Sequence, residues 1–278
     1  MKRPKVLYKY LPVERIDLLE HSHIRMTPPM EFNDPFEFLP RIAQTDLARL
    51  QKSTPHELQK IFEYQLSKVG SVLFGDGSSS FTRIKVTEEN LSRFKELLSQ
   101  NGEEMIATLK RRINTYIGVL SLSSEPDIAL MWAHYALKHE GFVVGFKTDS
   151  LWTDEMDSFN ARVVGPFQVN YSPKQPETSI FDTEFDAWFS TKQSIWEYEC
   201  EYRYVANLDK ADQIKRNGDR SIHLYDFSKD AVCEVILGLR TSPEMEKKLV
   251  NGTRPYPNAK IKRATIEKGA SYRIRIIG

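Results

Sequence analysis

The segment from Trp196 to Tyr204 (WEYECEYRY) carries alternating carboxylates followed by an arginine. On a strand, a period of two would place Glu197, Glu199, Glu201 and Arg203 on one face. Carboxylates about 7 Å apart on one face repel one another, so some of them need a cation, a hydroxyl or a ligand. One interpretation is that this is the solvated face of an edge strand. The other is that the carboxylates bind sugar hydroxyls or stabilise an oxocarbenium-like centre, and that the arginine orients them or binds a phosphate.

A second polar and aromatic stretch, MWAHYALKHEGFVVGF, covers residues 131–146. Helical spacing places Met131 and Tyr135 on one face, with His134 beside them. These side chains are either amphipathic core residues with satisfied polar ends or the wall of a binding cleft. His134 and His139 are five residues apart and no HExxH pattern is present, so we predict no metal site here.

Two further segments could contribute polar groups to a site. In FNDPFE, residues 32–37, a proline restricts the preceding Asp34 to extended conformations and so presents Asn33 and Asp34 reproducibly, although turn capping alone would also explain both. On the first predicted strand, Lys9 projects away from Tyr10 and is either a phosphate contact or a surface lysine.

Composition and missing motifs narrow the function classes. The chain has no GxxxxGK[ST], GxGxxG or GxSxG pattern, so we do not expect P-loop or hydride-transfer chemistry. Its 39 Lys and Arg against 38 Asp and Glu produce no global field that favours nucleic acid or an anionic membrane, although a local basic patch remains compatible.

The small number of cysteines and the short apolar runs indicate the cellular compartment in which the protein is expected. Cys200 and Cys233 are too few for a disulfide framework or a structural zinc site, which suits a reducing environment. The N-terminus has no apolar run typical of a signal peptide, and no apolar run approaches the ~20 residues of a membrane span. We therefore expect a soluble cytoplasmic protein with no membrane partner.

Hydrophobic periodicity predicts the elements that would position these residues. Strands are expected at residues 6–10, 117–123, 142–147, within 162–171, and at 197–205, 221–225, 231–237, 260–267 and 272–277. Helices are expected at residues 13–21, 57–68, 88–100, 103–116, 126–139, 183–195 and from Ser242 onward. Several strands are adjacent in sequence, so we predict an α+β fold with a mostly antiparallel or mixed sheet and packed helices.

A glycine and serine cluster at residues 70–80 lies among three of the predicted helices. Thr54 and Glu57 have the spacing of a capping box, with a proline at the first helical position. We therefore predict a single α+β domain over residues 1–278 that contains a helical insertion at about 45–116.

The motif order LYKY, FNDPFE, SLS, MWAHYALKHEGFVVGF, WEYECEYR and EVILGLRTSPEM resembles a widespread bacterial domain family of unknown function. The resemblance covers nearly the whole chain apart from the predicted insertion. More distantly, the layout is similar to ADP-ribosyltransferases, in which a polar residue on the first strand, an aromatic or hydroxyl residue on a middle strand and a glutamate on a late strand surround NAD.

The second resemblance implies NAD as a substrate and assigns roles to individual residues. Glu201 or Glu199 would be catalytic, bonding the nicotinamide ribose and stabilising the cation formed as nicotinamide leaves. The tyrosine and histidine of the 131–146 segment would hold the nicotinamide, and a lysine or arginine the diphosphate. The residues implied as NAD-binding are Lys9, Tyr10, Asn33, Asp34, His134, Tyr135 and Arg203.

We therefore expect an ADP-ribosyltransferase-like enzyme, such as a bacterial stress or phage-defence effector, that modifies nucleic acid or protein. Two alternatives stay open. One is a non-catalytic module that binds a nucleotide or a nucleic acid, in which Trp132 and Tyr135 matter and the glutamates do not. The other is a Mg²⁺-dependent nuclease with Asp34, Glu37 and Glu199 as ligands.

Overall fold

The computed structural model describes residues 3–37, 41–42, 54, 56–57, 60, 115–152, 162–175, 177–178, 190–218, 220–267, 269 and 273–278. Nearly all of the predicted insertion at 45–116 lies outside the described residues, and so does the glycine and serine cluster. The predicted cap at its start is confirmed: the Thr54 N–H donates to the Glu57 carboxylate at 2.7 Å, and the Glu57 N–H donates to Thr54 Oγ1 at 3.3 Å.

The described residues form strands and helices of an α+β fold, as predicted. The strands are β1 (Val6–Leu11), β2 (His23–Met26), β3 (Arg41–Ile42), β4 (Ile117–Ser123), β5 (Phe142–Lys147), β6 (Val163–Gln168), β7 (Asn170–Ser172), β8 (Glu177–Thr178), β9 (Thr191–Gln193), β10 (Glu201–Asn207), β11 (Gln213–Asn217), β12 (Arg220–Asp226), β13 (Val232–Leu237), β14 (Lys260–Ile266) and β15 (Ile274–Ile277). The helices are α1 (Asp17–His21), α2 (Ala129–Tyr135) and α3 (Pro243–Thr253). Short 3-10 helices occur at Val13–Ile16, Pro29–Glu31, Ser194–Glu199, Leu208–Lys210 and Lys229–Ala231.

An eight-stranded sheet in the order β15-β14-β13-β5-β1-β4-β10-β6 forms the centre of the fold. Its neighbours run antiparallel except for β13 and β14, which are parallel, so the sheet is mixed. A three-stranded sheet, β11-β12-β2, and the pairs β3-β8 and β7-β9 complete the described topology.

Hydrophobic cores cover both faces of the large sheet, and side chains of β1 point alternately into one core and the other. Leu7 and Leu11 point into the larger core, which also contains buried residues of α1, α3 and the three-stranded sheet. Tyr10 points to the other face and meets the ring of Trp132 from α2 edge-on at 5.5 Å. Helix α2 is therefore fixed against the strands that flank it by aromatic packing.

The large sheet opens between two of its central strands. β1 pairs with β5 along all of Val6 to Leu11, but its register with β4 consists of Tyr8 opposite Ser123. Further along the same edge of β4, opposite to the edge that pairs with β10, Thr27 and Val119 exchange two backbone hydrogen bonds of 2.9 Å. The chain that follows β2 therefore lies against β4 where β1 has left it. The divergence of β1 from β4 leaves room for a cleft.

The predicted helix at 126–139 is too long. Helix α2 ends at Tyr135, and the three residues from Leu137 to His139 have left-handed φ values of 46°, 52° and 72°. The chain must reverse here to enter β5, and Gly141 makes the reversal possible, because a Cβ at that residue would lie 2.1 Å from the Leu11 carbonyl oxygen. The close fit of the turn against β1 overrides the helical periodicity.

The prediction of one strand over 197–205 is also wrong at its start. Residues Ser194–Glu199 form a 3-10 helix, and Cys200, with φ 47°, separates it from β10. Only Glu201 and Arg203 therefore share a strand face. Since β10 lies between β4 and β6, its polar face is not a solvated edge.

The predicted helix at 183–195 lies partly outside the described residues. Near its predicted end, Thr191–Gln193 is a strand instead, β9, which pairs in parallel with β7, and a 3-10 helix begins at Ser194. Along the part of the chain that the structure describes, no helix combines the length and apolar character needed to cross a membrane.

Candidate functional site

A cleft with a volume of about 290 Å³ lies where β1 and β4 diverge. Strands β1 and β4, helix α2, the segment that follows β2 and the stretch from β9 to β10 all contribute to its wall. The ionisable and amide side chains that line it are Tyr8, Lys9, Tyr10, Arg25, Glu31, Asn33, Glu37, Tyr135, Lys192, Glu199 and Glu201.

Lys192 is the centre of an ion-pair network in the wall of the cleft. Its Nζ lies 3.1 Å from Glu37 Oε1, 2.6 Å from Glu199 Oε2 and 3.1 Å from Glu201 Oε2. An ammonium has three N–H donors, so one carboxylate is available for each. Burial alone would lower the pKa of Lys192, but the three glutamates raise it well above its usual value.

Arg203 contacts two of these carboxylates, Glu37 and Glu201, from the sheet side. It is fully buried, and its Nε and Nη2 donate to the two carboxylate oxygens of Glu201 at 2.7 and 3.0 Å. Its Nη2 also bonds Glu37. Burial would raise the pKa of Glu201, yet Arg203 and Lys192 lower it to about 2. Glu201 is therefore an ionised carboxylate, 3% exposed, with fixed orientation.

Glu37 has the opposite titration behaviour. Burial raises its pKa, although Arg203 and Lys192 oppose the shift. Three carboxylates, Glu37, Glu199 and Glu201, face two cations, Lys192 and Arg203, so the network carries one excess negative charge when all its groups are ionised. Glu37 is the member of the network whose environment favours taking up a proton.

Lys9 enters the cleft from β1. Its Nζ donates to the Ser121 carbonyl oxygen at 2.9 Å. Burial and the charge of Arg15 lower the pKa of Lys9 to about 8, and the nearby Glu201 and Glu199 only partly offset them. Lys9 is therefore a cation that gives up its proton more readily than an ordinary lysine.

Tyrosine hydroxyls hold the remaining parts of the site. Tyr135 donates to Glu199 Oε1 at 2.6 Å, and burial together with Glu199 raises the pKa of Tyr135. The Glu201 N–H donates to the Tyr171 hydroxyl at 2.8 Å, so both the backbone and the side chain of Glu201 are fixed. The Tyr10 hydroxyl donates to the Glu125 carbonyl oxygen at 2.8 Å and connects β1 to the segment before α2.

The cleft brings together most of the residues singled out in the sequence. Those that line it are Lys9, Tyr10, Asn33, Tyr135, Glu199 and Glu201. Asp34, His134 and Arg203 lie elsewhere: Asp34 Oδ1 accepts the Phe36 N–H at 2.9 Å, and His134 is exposed, with Nδ1 3.2 Å from the Tyr198 hydroxyl. Arg203 lies behind Glu201 and positions it, so the buried guanidinium is not available to a diphosphate in the cleft.

Two residues at the centre of the site were not assigned to NAD binding or catalysis from the sequence. The glutamate spacing indicated that some carboxylates need a cation, but Lys192 itself lies in the segment predicted as a helix at 183–195, which contains no functional motif. Glu37 was considered only as a Mg²⁺ ligand. Within the described ranges, no three His, Cys, Asp or Glu side chains are placed to hold a metal ion; Glu37, Glu199 and Glu201 instead surround Lys192 Nζ.

Comparisons with known proteins give one similarity. No curated protein and no solved structure matches the chain. The resemblance to ADP-ribosyltransferases is not tested by these comparisons and stays a prediction. Residues 131–204 match the family described as "Protein of unknown function (DUF2971)". This range runs from α2 into β10 and contains Tyr135, Lys192, Glu199 and Glu201. Over these residues the predicted resemblance to a family of unknown function is confirmed, and that family is DUF2971.

Proposed function

We propose that the protein is an ADP-ribosyltransferase-like enzyme whose cleft binds the nicotinamide and ribose portion of NAD. Support comes from the elements that meet at the cleft. The first strand contributes Lys9 and Tyr10, helix α2 contributes Tyr135, and the late segment contributes Glu199 and Glu201. Their convergence is the single observation that carries the proposal, because the ADP-ribosyltransferase resemblance implies such a polar, aromatic and glutamate set around NAD.

The size and character of the cleft suit part of a dinucleotide. A volume of about 290 Å³ is at the lower end of small-molecule sites and accommodates a nucleoside-sized group. Met131 and Tyr135 line the cleft, and the Tyr135 hydroxyl is bonded to Glu199. Lys9 lies in the same wall and, among the described residues, forms no carboxylate ion pair, so we assign it to the diphosphate.

In the proposed reaction, the bond between the ribose C1 and the nicotinamide nitrogen breaks, and its electron pair leaves with nicotinamide. Nicotinamide becomes neutral, while positive charge develops on the ribosyl carbon and ring oxygen. Glu201 stays ionised at neutral pH because its pKa is about 2, so it stabilises this charge without proton transfer. A nucleophilic oxygen or nitrogen of the acceptor then bonds to the ribosyl carbon and releases its proton to solvent.

Glu199 provides the second carboxylate of the proposed site. Its two oxygens accept hydrogen bonds from Tyr135 and Lys192 at 2.6 Å each. Both glutamates are therefore oriented before a substrate arrives, which reduces the reorganisation that charge stabilisation would otherwise require.

Calorimetry with NAD and chromatographic detection of nicotinamide test the proposed function. We expect saturable NAD binding by the wild-type protein and slow nicotinamide release. Glu201→Gln should lower the release rate about a hundredfold or more, because the developing positive charge loses its carboxylate. Absence of saturable NAD binding in the wild-type protein would contradict the proposed function.

Because the Glu201 variant could misfold, a second variant makes a smaller change in the same cleft. Tyr135→Phe removes one hydroxyl from the cleft and should weaken NAD binding. The matched control is Tyr256→Phe, which removes a buried hydroxyl bonded to the Leu19 carbonyl oxygen at 2.8 Å and remote from the cleft-lining set. Equal effects of both variants on NAD affinity would mean that the Tyr135 hydroxyl has no specific role.

The binding module without catalysis is the second candidate. The observation that favours it is the pairing of each cleft glutamate with a cation, since Lys192 contacts Glu199 and Glu201, and Arg203 contacts Glu201. Such pairing is also compatible with a purely structural network. This candidate would be selected if the wild-type protein and Glu201→Gln bind NAD with equal affinity and neither releases nicotinamide.

A further inference from the structure

A ribbon of two strands, β11 and β12, carries exposed basic side chains outside the cleft. The sequence from Gln213 to Arg220 contains the cations Lys215, Arg216 and Arg220 and one anion, Asp219. All of β11 is exposed, and so is Arg220 at the start of β12. Within the described part of the chain, none of the three cations forms an ion pair. In a chain with a net charge of +1, positive charge is concentrated here.

The strand register connects this ribbon to the cleft. Arg25 of β2 lies opposite Leu224 of β12, which lies opposite Gln213 of β11. Opposed residues of antiparallel strands point to the same face, and every second residue returns to it, so Lys215 and Arg220 share the face of Arg25. Arg25 lines the cleft. With about 4.8 Å between strands, β11 lies about 10 Å from β2.

Protection of a strand edge is the simpler explanation of these basic residues. Lysine and arginine on an edge strand prevent it from pairing with other chains, which accounts for Lys215 and Arg216 on β11. Arg220 pairs with Asn217 of β11 and precedes the residues of β12 that pair with β2, so it too lies at an edge. Arg216 also points to the opposite face, so cations flank the ribbon on both sides.

We propose that the β11-β12 ribbon binds the phosphate backbone of a nucleic acid and directs the strand toward the cleft. Guanidinium and ammonium groups bind phosphates through charge-assisted hydrogen bonds. Cations on both faces of an exposed ribbon fit a polyanion better than a short acidic peptide, which would need a groove for its side chains. The role of this surface in presenting an acceptor rests on the proposed function, whereas the binding itself does not.

Fluorescence anisotropy with a labelled single-stranded DNA oligonucleotide, without NAD, tests this binding. The wild-type protein should bind with an affinity that falls as salt rises. Neutralising Lys215, Arg216 and Arg220 to Gln should lower the affinity at least about tenfold. It should also reduce the slope of log K against log salt by about 2, since each lost contact with a single strand contributes about 0.7.

The matched control is Lys247→Gln, an exposed lysine on α3, which should leave both the affinity and the slope unchanged. Equal DNA binding by the wild-type protein and the triple variant overturns the inference, as does preferential binding of polyglutamate over DNA. DNA binding that depends on the ribbon, in a protein that does not bind NAD, would retain this inference and reject the proposed function. If the protein turns over NAD but binds DNA equally well without the ribbon cations, the proposed function is retained and this inference is rejected.

Discussion

Lys192 determines what the glutamates of the cleft can do. It is the cation that contacts all three of Glu37, Glu199 and Glu201, whereas Arg203 contacts Glu37 and Glu201. Removing one partner of a buried network leaves uncompensated charge and costs more than the network itself contributes to stability. The cation that orients the catalytic candidates is therefore also needed for the local structure.

Lys192→Met is expected to lower the free energy of unfolding by roughly 3 kcal/mol or more, because three buried carboxylates lose the cation that contacts all of them. Lys192→Arg should cost less, since it retains the charge. Urea denaturation measures both. Lys248→Met, which removes the exposed pair with Glu244, is the control and should leave the midpoint nearly unchanged. Similar losses for Lys192→Met and Lys248→Met would contradict the role of burial.

Lys9 gives the site a dependence on pH. Because its pKa is about 8, it loses its proton as pH rises through that value. Affinity for NAD, measured by calorimetry between about pH 7 and about pH 9, should therefore fall in the wild-type protein. Lys9→Arg keeps its charge over this range and should remove the fall. An unchanged pH dependence in Lys9→Arg would show that another group is responsible.

Helix α2 is positioned by β1 rather than by its own cap. The residue before the helix, Ile128, offers no side-chain cap, and its N–H donates instead to the Tyr10 hydroxyl at 3.3 Å. Trp132 Nε1 donates to the Pro126 carbonyl oxygen at 2.9 Å, which closes the entry to the helix. The start of this short helix is therefore held by β1 and by the segment before it, and at its end Tyr135 is bonded to Glu199.

Tyr10→Phe should loosen this helix with a cost of about 1–2 kcal/mol, because the change leaves the Ile128 N–H and the Glu125 carbonyl oxygen without their partner. Hydrogen exchange measured residue by residue should speed up at the start of α2, while amides of β13 stay protected. Faster exchange in both places would indicate global destabilisation instead of local loosening.

At the scale of the whole molecule, the two cores and the ion-pair network are parts of one sheet. β10 contributes Tyr204 and Ala206 to the larger core, and on its other face Glu201 and Arg203 to the network. The electrostatic state of the cleft is therefore coupled to the stability of the fold.

Acid unfolding should reveal this coupling. The folded-state pKa of Glu201, about 2, is below its ordinary value of 4.5, so its stabilising contribution is present above pH 4.5 and lost as pH falls toward 2. The loss amounts to roughly 3 kcal/mol and should be absent in Glu201→Gln. Glu37 acts in the opposite sense, because its raised pKa favours the folded state at low pH. Urea denaturation at several pH values measures the difference, and equal acid sensitivity of the two proteins would contradict it.

The sequence by itself determined the class of fold and many of its elements. Alternation and helical spacing placed β1, β4, β5 and β13 within a residue or two of their bounds, and Ser242 was identified as the cap of α3. These predictions succeeded because local patterns and tertiary burial agree there. The choice of Lys9, Tyr10, Tyr135 and the two glutamates as site residues came from local patterns together with the resemblance to ADP-ribosyltransferases, and the cleft brings them together.

Only the tertiary structure decided which groups pair across the site. Lys192 reaches Glu37 from 155 positions away in the chain, and Arg203 meets the same carboxylate, so no spacing rule could connect them. The turn at Cys200 moved Glu199 off the strand, yet tertiary packing returned its carboxylate to the network. A buried charge takes whichever partner the fold brings within reach, because leaving it unpaired costs several kcal/mol.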